Sequence, residues 1–425
     1  MKTSENLRLI DYFYKSLLLF PLFLITGPFL PDLVATLISI IFIFYILSYK
    51  KFYLLDNKII IFFLFFWLYI SLRSLFTDEI LFSLRSSFSY LRFIIFSAAI
   101  VFILNNKQEF SKNFFISLLL ALGIFILASM FEFFSGYNIF LDSKPSYRLT
   151  GTFGDEQIVG SFLSRTYPVL IGLYYICFKK FDKMFFAIIF LCLFTTVISG
   201  ERTSTFYVIL STTAIALSTN FSLKKKFLCI FLILLVSTST VLSFPKLKFK
   251  LVNQTLESFG IKALDTSGSE AYVSKKPSRG FYIFSQAHEA HYFSAFQMFK
   301  NNIIFGQGVK MYRKKCEDPK IFVNRMSCTT HPHNILFQIL AETGIIGFIF
   351  YIIAFLYVLY NLFKNFIKNF LIFENKKFVN ICFLICFMQN LSFILPSGNI
   401  FNNFLALQMF LPLGFYLYVT SLNEI

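Results

Sequence analysis

The sequence predicts an all-α polytopic membrane protein: about 12 transmembrane helices and one long periplasmic loop containing amphipathic helices. Three observations predict it. First, 57% of the 425 residues are hydrophobic and 14% are charged, whereas about a quarter of the residues in a soluble domain carry charge. Second, the apolar residues come in long unbroken runs, which argues against the alternating pattern of a transmembrane barrel. Third, the basic residues cluster in every second connection between those runs, as the positive-inside rule requires. The 63 Phe residues fit a membrane interior, and AT-rich codon usage accounts for part of their number.

A helix needs about 20 apolar residues to cross the hydrocarbon core. Twelve segments qualify or come close: 15–31, 33–48, 58–72, 86–104, 113–133, 160–178, 183–199, 203–219, 226–244, 335–360, 378–395 and 400–420. The first has no small-residue cleavage site and reads as a retained span rather than a signal peptide. The chain thus divides into spans one to nine (1–244), a periplasmic catalytic loop (245–334) and spans ten to twelve (335–425).

With the N-terminus in the cytoplasm, eighteen basic residues fall in inside segments and five (Arg73, Arg85, Lys144, Arg148 and Arg202) in short outside segments. Arg92 and Arg165 fall within spans. The long loop holds the remaining fourteen against six acids, a net of +8, and it holds every His: His288, His291, His331 and His333. The overall charge of +17 is therefore partly topogenic and partly local to one extracytoplasmic loop. No nucleic-acid motif accompanies it, so anionic lipid or phosphate is the expected partner. Of ten Arg residues only Arg8 lies in an inside segment. Elsewhere Arg is expected either to fork onto phosphate or carboxylate or to anchor a helix at the headgroups.

Five cysteines lie in spans as small apolar packers. Cys316 and Cys328 share the outside loop, where an oxidising periplasm favours a disulfide worth about 3 kcal/mol through loop closure. Zinc is the rival, but the paired CxxC of a zinc site is missing.

Four stretches carry polar groups suited to chemistry. In 328–347, Pro332 disfavours helix at His331 and Asn334 is placed to cap span ten. The positive helix end would then keep His333 neutral and able to accept a proton. In the turn Ser199-Gly200-Glu201-Arg202, Arg202 and free N–H groups suit a diphosphate; a snorkelling anchor is the plain alternative. Residues 279–302 read as an amphipathic helix with Phe281, Phe284, Tyr292, Phe296 and Phe299 on one face. His288 and His291 sit one turn apart there, but without the H-E-x-x-H zincin pattern, so no metal is expected. In 148–160, Arg148, Asp155 and Glu156 lie at the outer interface and Arg165 deeper. Arg165 is expected either to be functional or to pair with Asp155 or Glu156.

Together these residues resemble the O-antigen ligase and O-antigen polymerase superfamily. The likeness rests on Gly151-Thr152-Phe153-Gly154, the 199–202 turn, Gly306-Gln307-Gly308, and His333-Asn334 followed by Glu342-Thr343-Gly344 and Gly347. It implies a membrane-embedded, inverting, metal-independent glycosyltransferase with no cofactor. The donor implied is a glycan on undecaprenyl diphosphate; the acceptor is a sugar hydroxyl of lipid A-core, or another lipid-linked glycan if the protein is a polymerase. By that likeness His333, Arg202 and Arg279 are catalytic, while His331, Asn334, Arg148, Arg165, His288 and Glu342 bind substrate. The surroundings of Arg279 depart from the family pattern, with His288 where an Arg is expected. The implied location is the bacterial inner membrane, multi-pass, with the active site facing the periplasm. A transporter of lipid-linked sugars is a third reading, disfavoured because no internal repeat is visible and the polar groups gather at the outer edge.

Overall fold

The computed structural model describes residues 2–141, 148–258 and 284–423. The helices in chain order are α1 Lys2–Leu24, α2 Phe29–Tyr49, α3 Lys58–Ser74, α4 Ile80–Phe88, α5 Leu91–Asn106, α6 Phe110–Ser135, α7 Val159–Phe178, α8 Lys183–Ile198, α9 Arg202–Leu217 and α10 Leu223–Ser243. They continue with α11 Pro245–Lys248, α12 Gln254–Ser258, α13 Gln286–Lys300, α14 Tyr312–Lys315, α15 Ile335–Leu371, α16 Asn375–Leu391 and α17 Asn403–Ser421. No strand occurs among the described residues. By length and composition, α2, the α4–α5 unit, α6, α10, α15 and α17 are able to cross a membrane. The protein is thus a helical, multi-pass membrane protein.

Each of the twelve expected segments coincides with a helix, but several ends move. The first helix ends at Leu24 because Gly27, at φ 104°, turns the chain there. It begins far earlier than hydropathy suggests. The bundle is built by apolarity all round: α5, α7, α16 and α17 are buried on nearly every face, as helices without a polar face must be. Phe410 of α17 is central, stacking with Phe93 of α5 at 6.2 Å and meeting Tyr90 edge-on at 5.7 Å.

The long span α15 is broken near its start. Gly344 has φ 63° and ψ −163°, outside the helical region. A break leaves backbone groups without helical partners, and in an apolar bundle they must find others. The segment after α13 supplies them. Gln307 N donates to Ala341 O (2.9 Å) and Gly308 N to Glu342 O (2.8 Å), while Ile345 N donates to Ile303 O (2.9 Å). From α3, Tyr69 Oη donates to Thr343 O (2.5 Å) and the Arg73 guanidinium to Gly306 O (2.7 and 3.0 Å). The two backbones approach so closely that a Cβ on Gly306 would stand 2.4 Å from Gly344 N, and one on Gly344 would stand 2.4 Å from Ile304 O.

The expectations about arginine meet different outcomes. Arg73 binds carbonyls of its own chain, and Arg92 forks onto Asp32, Nε to Oδ1 at 2.9 Å and Nη2 to Oδ2 at 3.1 Å. Arg92 thus makes the carboxylate fork expected of it, whereas the half-buried Arg73 has its donors matched by backbone carbonyls. Arg165 is buried and bonds Asn390 Oδ1 (3.1 Å) and Ser161 O (3.0 Å). The expected pairing with Asp155 or Glu156 is not formed, because the side chain runs along α7 toward α16 instead.

The amphipathic helix is also corrected. α13 starts at Gln286, and residues 279–283, with Phe281 and Arg279, lie outside the described residues. Its buried residues are Ala290, His291, Tyr292, Ser294, Ala295 and Met298, while Phe293 and Phe296 are exposed. Ser294 and Ala295 let α13 press against α15, Tyr292 is buried as expected, and Phe293 and Phe296 are left on the outer side.

A Gly344→Ala substitution is expected to destabilise the protein by about 2–5 kcal/mol, from backbone strain and overpacking together. A thermal melt of the purified protein in detergent checks it; an unchanged midpoint would contradict the splice.

Candidate functional site

The site begins with the turn ahead of α15. Asn334 caps the helix, its Oδ1 accepting from Leu336 N at 2.9 Å, and its Nδ2 donates to Phe393 O at 2.9 Å. Ser397 N donates to His333 O at 2.8 Å. The α16–α17 connection thus straps the turn from one side. His333 is held at φ 55°, a left-handed conformation that costs a non-glycine residue about 1–2 kcal/mol. The strap over-determines it, as is common where geometry serves function.

The α13 helix brings the other histidines. Ser285 caps it by accepting from His288 N, and the same hydroxyl contacts His288 Nδ1 at 2.7 Å. Tyr292 stacks on Phe337 of α15 at 4.8 Å, and Tyr312 Oη donates to Ser327 O at 2.6 Å. Cys316 and Cys328 are joined as a disulfide with Cα atoms 5.2 Å apart. It closes a loop that ends three residues before His331. A small apolar cluster of Ala295, Met298, Met311, Tyr312, Ile321 and Ala341 fixes this loop to α13 and α15.

As a result all four histidines converge on one ring. His333 lies 4.1 Å from His331, 5.3 Å from His291 and 5.8 Å from His288 between ring centroids. His291 Nδ1 and His331 Nε2 are buried without a hydrogen-bond partner. Burial holds the imidazoles neutral. His333 is lowered to about 4, next by His291. His331 falls to about 3, with His333 adding to burial. His288 falls to about 4 through burial, then His333 and His291, then Arg202 and Arg148. Burial, rather than the helix end alone, therefore keeps His333 uncharged. The described residues contain no group of three His, Cys, Asp or Glu side chains arranged to hold a metal.

Cations stand beside this cluster. The 199–202 turn splits its two charges. Glu201, buried, accepts from Gly160 N at 2.7 Å and from Ser161 N at 3.2 Å, capping α7. Arg202 turns the other way, where its Nη1 reaches Gln254 O (3.4 Å) and Ser258 Oγ (3.3 Å). Leu149 N donates to Ser199 O, which sets Arg148 next to the same turn. Arg148 and Arg202 both act electrostatically on His288 and on Lys250. Burial, then Arg148 and Arg202, lowers the Lys250 ammonium below its ordinary value. Three cations and a histidine thus share one region.

Other expected site residues do other work. Glu342 is fully buried; Oε1 accepts from Tyr312 N (3.2 Å) and Oε2 from Gln338 Nε2 (3.1 Å). Its carboxylate thus ties the turn at Tyr312 to α15, while its backbone carbonyl accepts from Gly308 N. Arg165 is likewise committed inside the bundle, and Arg279 falls outside the described residues. Three contributors were not expected. Glu132 receives Thr150 N (3.0 Å) and Gly151 N (2.6 Å), anchoring the segment that starts at Arg148. An acid inside an apolar span is the signal that points to it. Glu201 does the same for α7. Lys250 has no motif and becomes visible only through folding.

The fold and site define a helical membrane protein whose cationic, histidine-rich site lies at one end of the bundle. Residues 187–352, from α8 into the middle of α15, match the family model described as O-antigen ligase. The resemblance to the O-antigen ligase and polymerase superfamily is shown by that match, which includes Arg202 and all four histidines. No curated protein matches the chain.

Two outcomes follow. A histidine whose folded value lies below 6.5 binds fewer protons folded than unfolded, so stability falls as pH drops. Unfolding temperature should therefore decline between pH 6.5 and about 4, and His331→Gln should flatten that decline. His333→Gly should be more stable than His333→Ala by about 1 kcal/mol, because glycine adopts φ 55° freely; paired melts of the two variants measure this.

Proposed function

We propose that the protein is an inverting, metal-independent glycosyltransferase of the O-antigen ligase type. It moves a glycan from undecaprenyl diphosphate to a sugar hydroxyl of lipid A-core. The family contains glycosyltransferase-like ligases and polymerases. The observation that carries the reading is the gathering of Arg148, Arg202 and Lys250 beside four neutral histidines.

The reaction needs two services. The acceptor oxygen attacks the anomeric carbon, the bond from that carbon to the diphosphate oxygen breaks, and its electron pair leaves with the diphosphate. Arg202, with Arg148 and Lys250, stabilises the departing negative charge. An imidazole nitrogen of His333 takes the hydroxyl proton, and His331, His288 and His291 hold its ring. Burial lowers His333 below its ordinary value and makes it a weak base alone, but a bound diphosphate raises it. Asn334 and Arg165 position this site from behind, and Arg279 is the candidate second catalytic arginine.

We also propose twelve spans, with both termini cytoplasmic and residues 245–334 periplasmic, in the bacterial inner membrane. The alternation of basic residues supports this orientation.

Glycan transfer in proteoliposomes tests the reading. His333→Ala is expected to lower the rate by about 10²–10⁴-fold, and Arg202→Ala by about 10²–10³-fold. Full activity in both variants would overturn the assignment. Chain elongation with lipid-linked donor alone would turn the reading to polymerase. Loss of glycan-lipid movement across the bilayer with transfer intact would turn it to transporter.

A further inference from the structure

At the far end of α15 from the histidines, roughly 30 Å along the helix, the bundle opens again. Near the outer end α3 and α15 are in contact, where Phe350 packs against Phe62 at 5.5 Å, Phe66 at 5.6 Å and Tyr69 at 6.2 Å. Below Phe350 the two helices leave a cavity of about 220 Å³ between them. Ile59 of α3 and Ala354 of α15 line its sides, and Phe387 of α16 and Leu413 of α17 contribute to the lining behind. Apart from Lys58 and the hydroxyls of Tyr357 and Tyr416, its lining side chains are apolar. A cavity of this character excludes water and takes an apolar guest.

Its mouth is cationic. Lys58, the first residue of α3, is exposed and lines the cavity. Lys364 lies seven residues beyond Tyr357, on the same face of α15, and its ammonium folds back over the Tyr360 ring at 5.5 Å. The Tyr357 and Tyr416 hydroxyls meet at 3.4 Å. Asp56 is the one acid near Lys58 in sequence, and among the described residues it makes no ion pair. An apolar slot with Lys58 in its lining and Lys364 two turns further along the same face of α15 fits an amphiphile whose head is negative and whose tail is a hydrocarbon chain.

We propose that this cavity is a binding site for an anionic phospholipid, with one acyl chain between α3 and α15 and the phosphate at Lys58 and Lys364. The lipid fills the gap below Phe350 and braces α15 against α3. On the orientation proposed above it belongs to the cytoplasmic leaflet, away from the glycan site.

Native mass spectrometry of the purified protein, after exposure to equal amounts of phosphatidylglycerol and phosphatidylethanolamine, tests this without any glycan substrate. Its failure therefore leaves the transferase reading untouched. Retention of phosphatidylglycerol is expected, with roughly fivefold loss for Lys58→Ser and for Lys364→Ser. Ala354→Phe, which fills the slot, should remove the adduct. The lysine variants are at exposed positions and decide the matter if Ala354→Phe does not fold. Glycerol phosphate should not compete, since the tail is required. Equal retention of both lipids, an unchanged adduct in Ala354→Phe, or selective retention of undecaprenyl phosphate would overturn the proposal.

Discussion

The mutual stitching of two backbones, Ile303–Gly308 and Ala341–Ile346, is the constraint on which the site depends. A helix in an apolar bundle ordinarily satisfies its own polar groups. At Gly344 α15 gives up that self-sufficiency, and the chain following α13 becomes its hydrogen-bonding partner. The exchange fixes α13 relative to α15. Since His288 and His291 ride on α13 and His333 precedes α15, the same stitches fix the histidines relative to one another. Glu342, Arg73 and Tyr69 support this junction without approaching the histidines themselves.

The arginine and glutamate network reaches the same end by another route. Buried carboxylates hold loops whose neighbouring residues are cations: Glu132 binds the segment after Arg148, and Glu201 immediately precedes Arg202. The acids satisfy backbone N–H groups and are thereby occupied. Glu201 also attracts Arg148, while Arg148 and Arg202 repel each other.

Much of the architecture was legible because a membrane helix is a simple object. Long apolar runs located the helices. The ends were less legible. The polar stretch before Lys15 is helical although nothing in its hydropathy says so, and α15 continues past residue 360 through Asn361, Lys364 and Lys368. Such residues are adequate helix formers once a span is already nucleated. The site was legible where composition is sparse: four histidines in one loop invited attention, and they do converge. Glu342 reads as a ligand in the sequence, and the fold shows its carboxylate accepting from Tyr312 N and Gln338. Of the expected aromatic face of α13, Tyr292 is buried but Phe296 is exposed, because close approach to α15 leaves room for Ser294 and Ala295 rather than for another ring. Lys250 was invisible, being brought to Arg202 by the fold alone.

The two-faced turn at 199–202 has a consequence for how this chain can vary. Surface connections between helices usually accept insertions and deletions. Here consecutive residues of opposite charge face opposite surroundings, Glu201 into the start of α7 and Arg202 toward Gln254 and Ser258. Removing one residue before Glu201 would set the guanidinium against the positive end of a helix, and adding one would set the carboxylate among cations. The length of this connection is thus fixed by the sign of charge at each step. It behaves as a reading frame rather than as a tether.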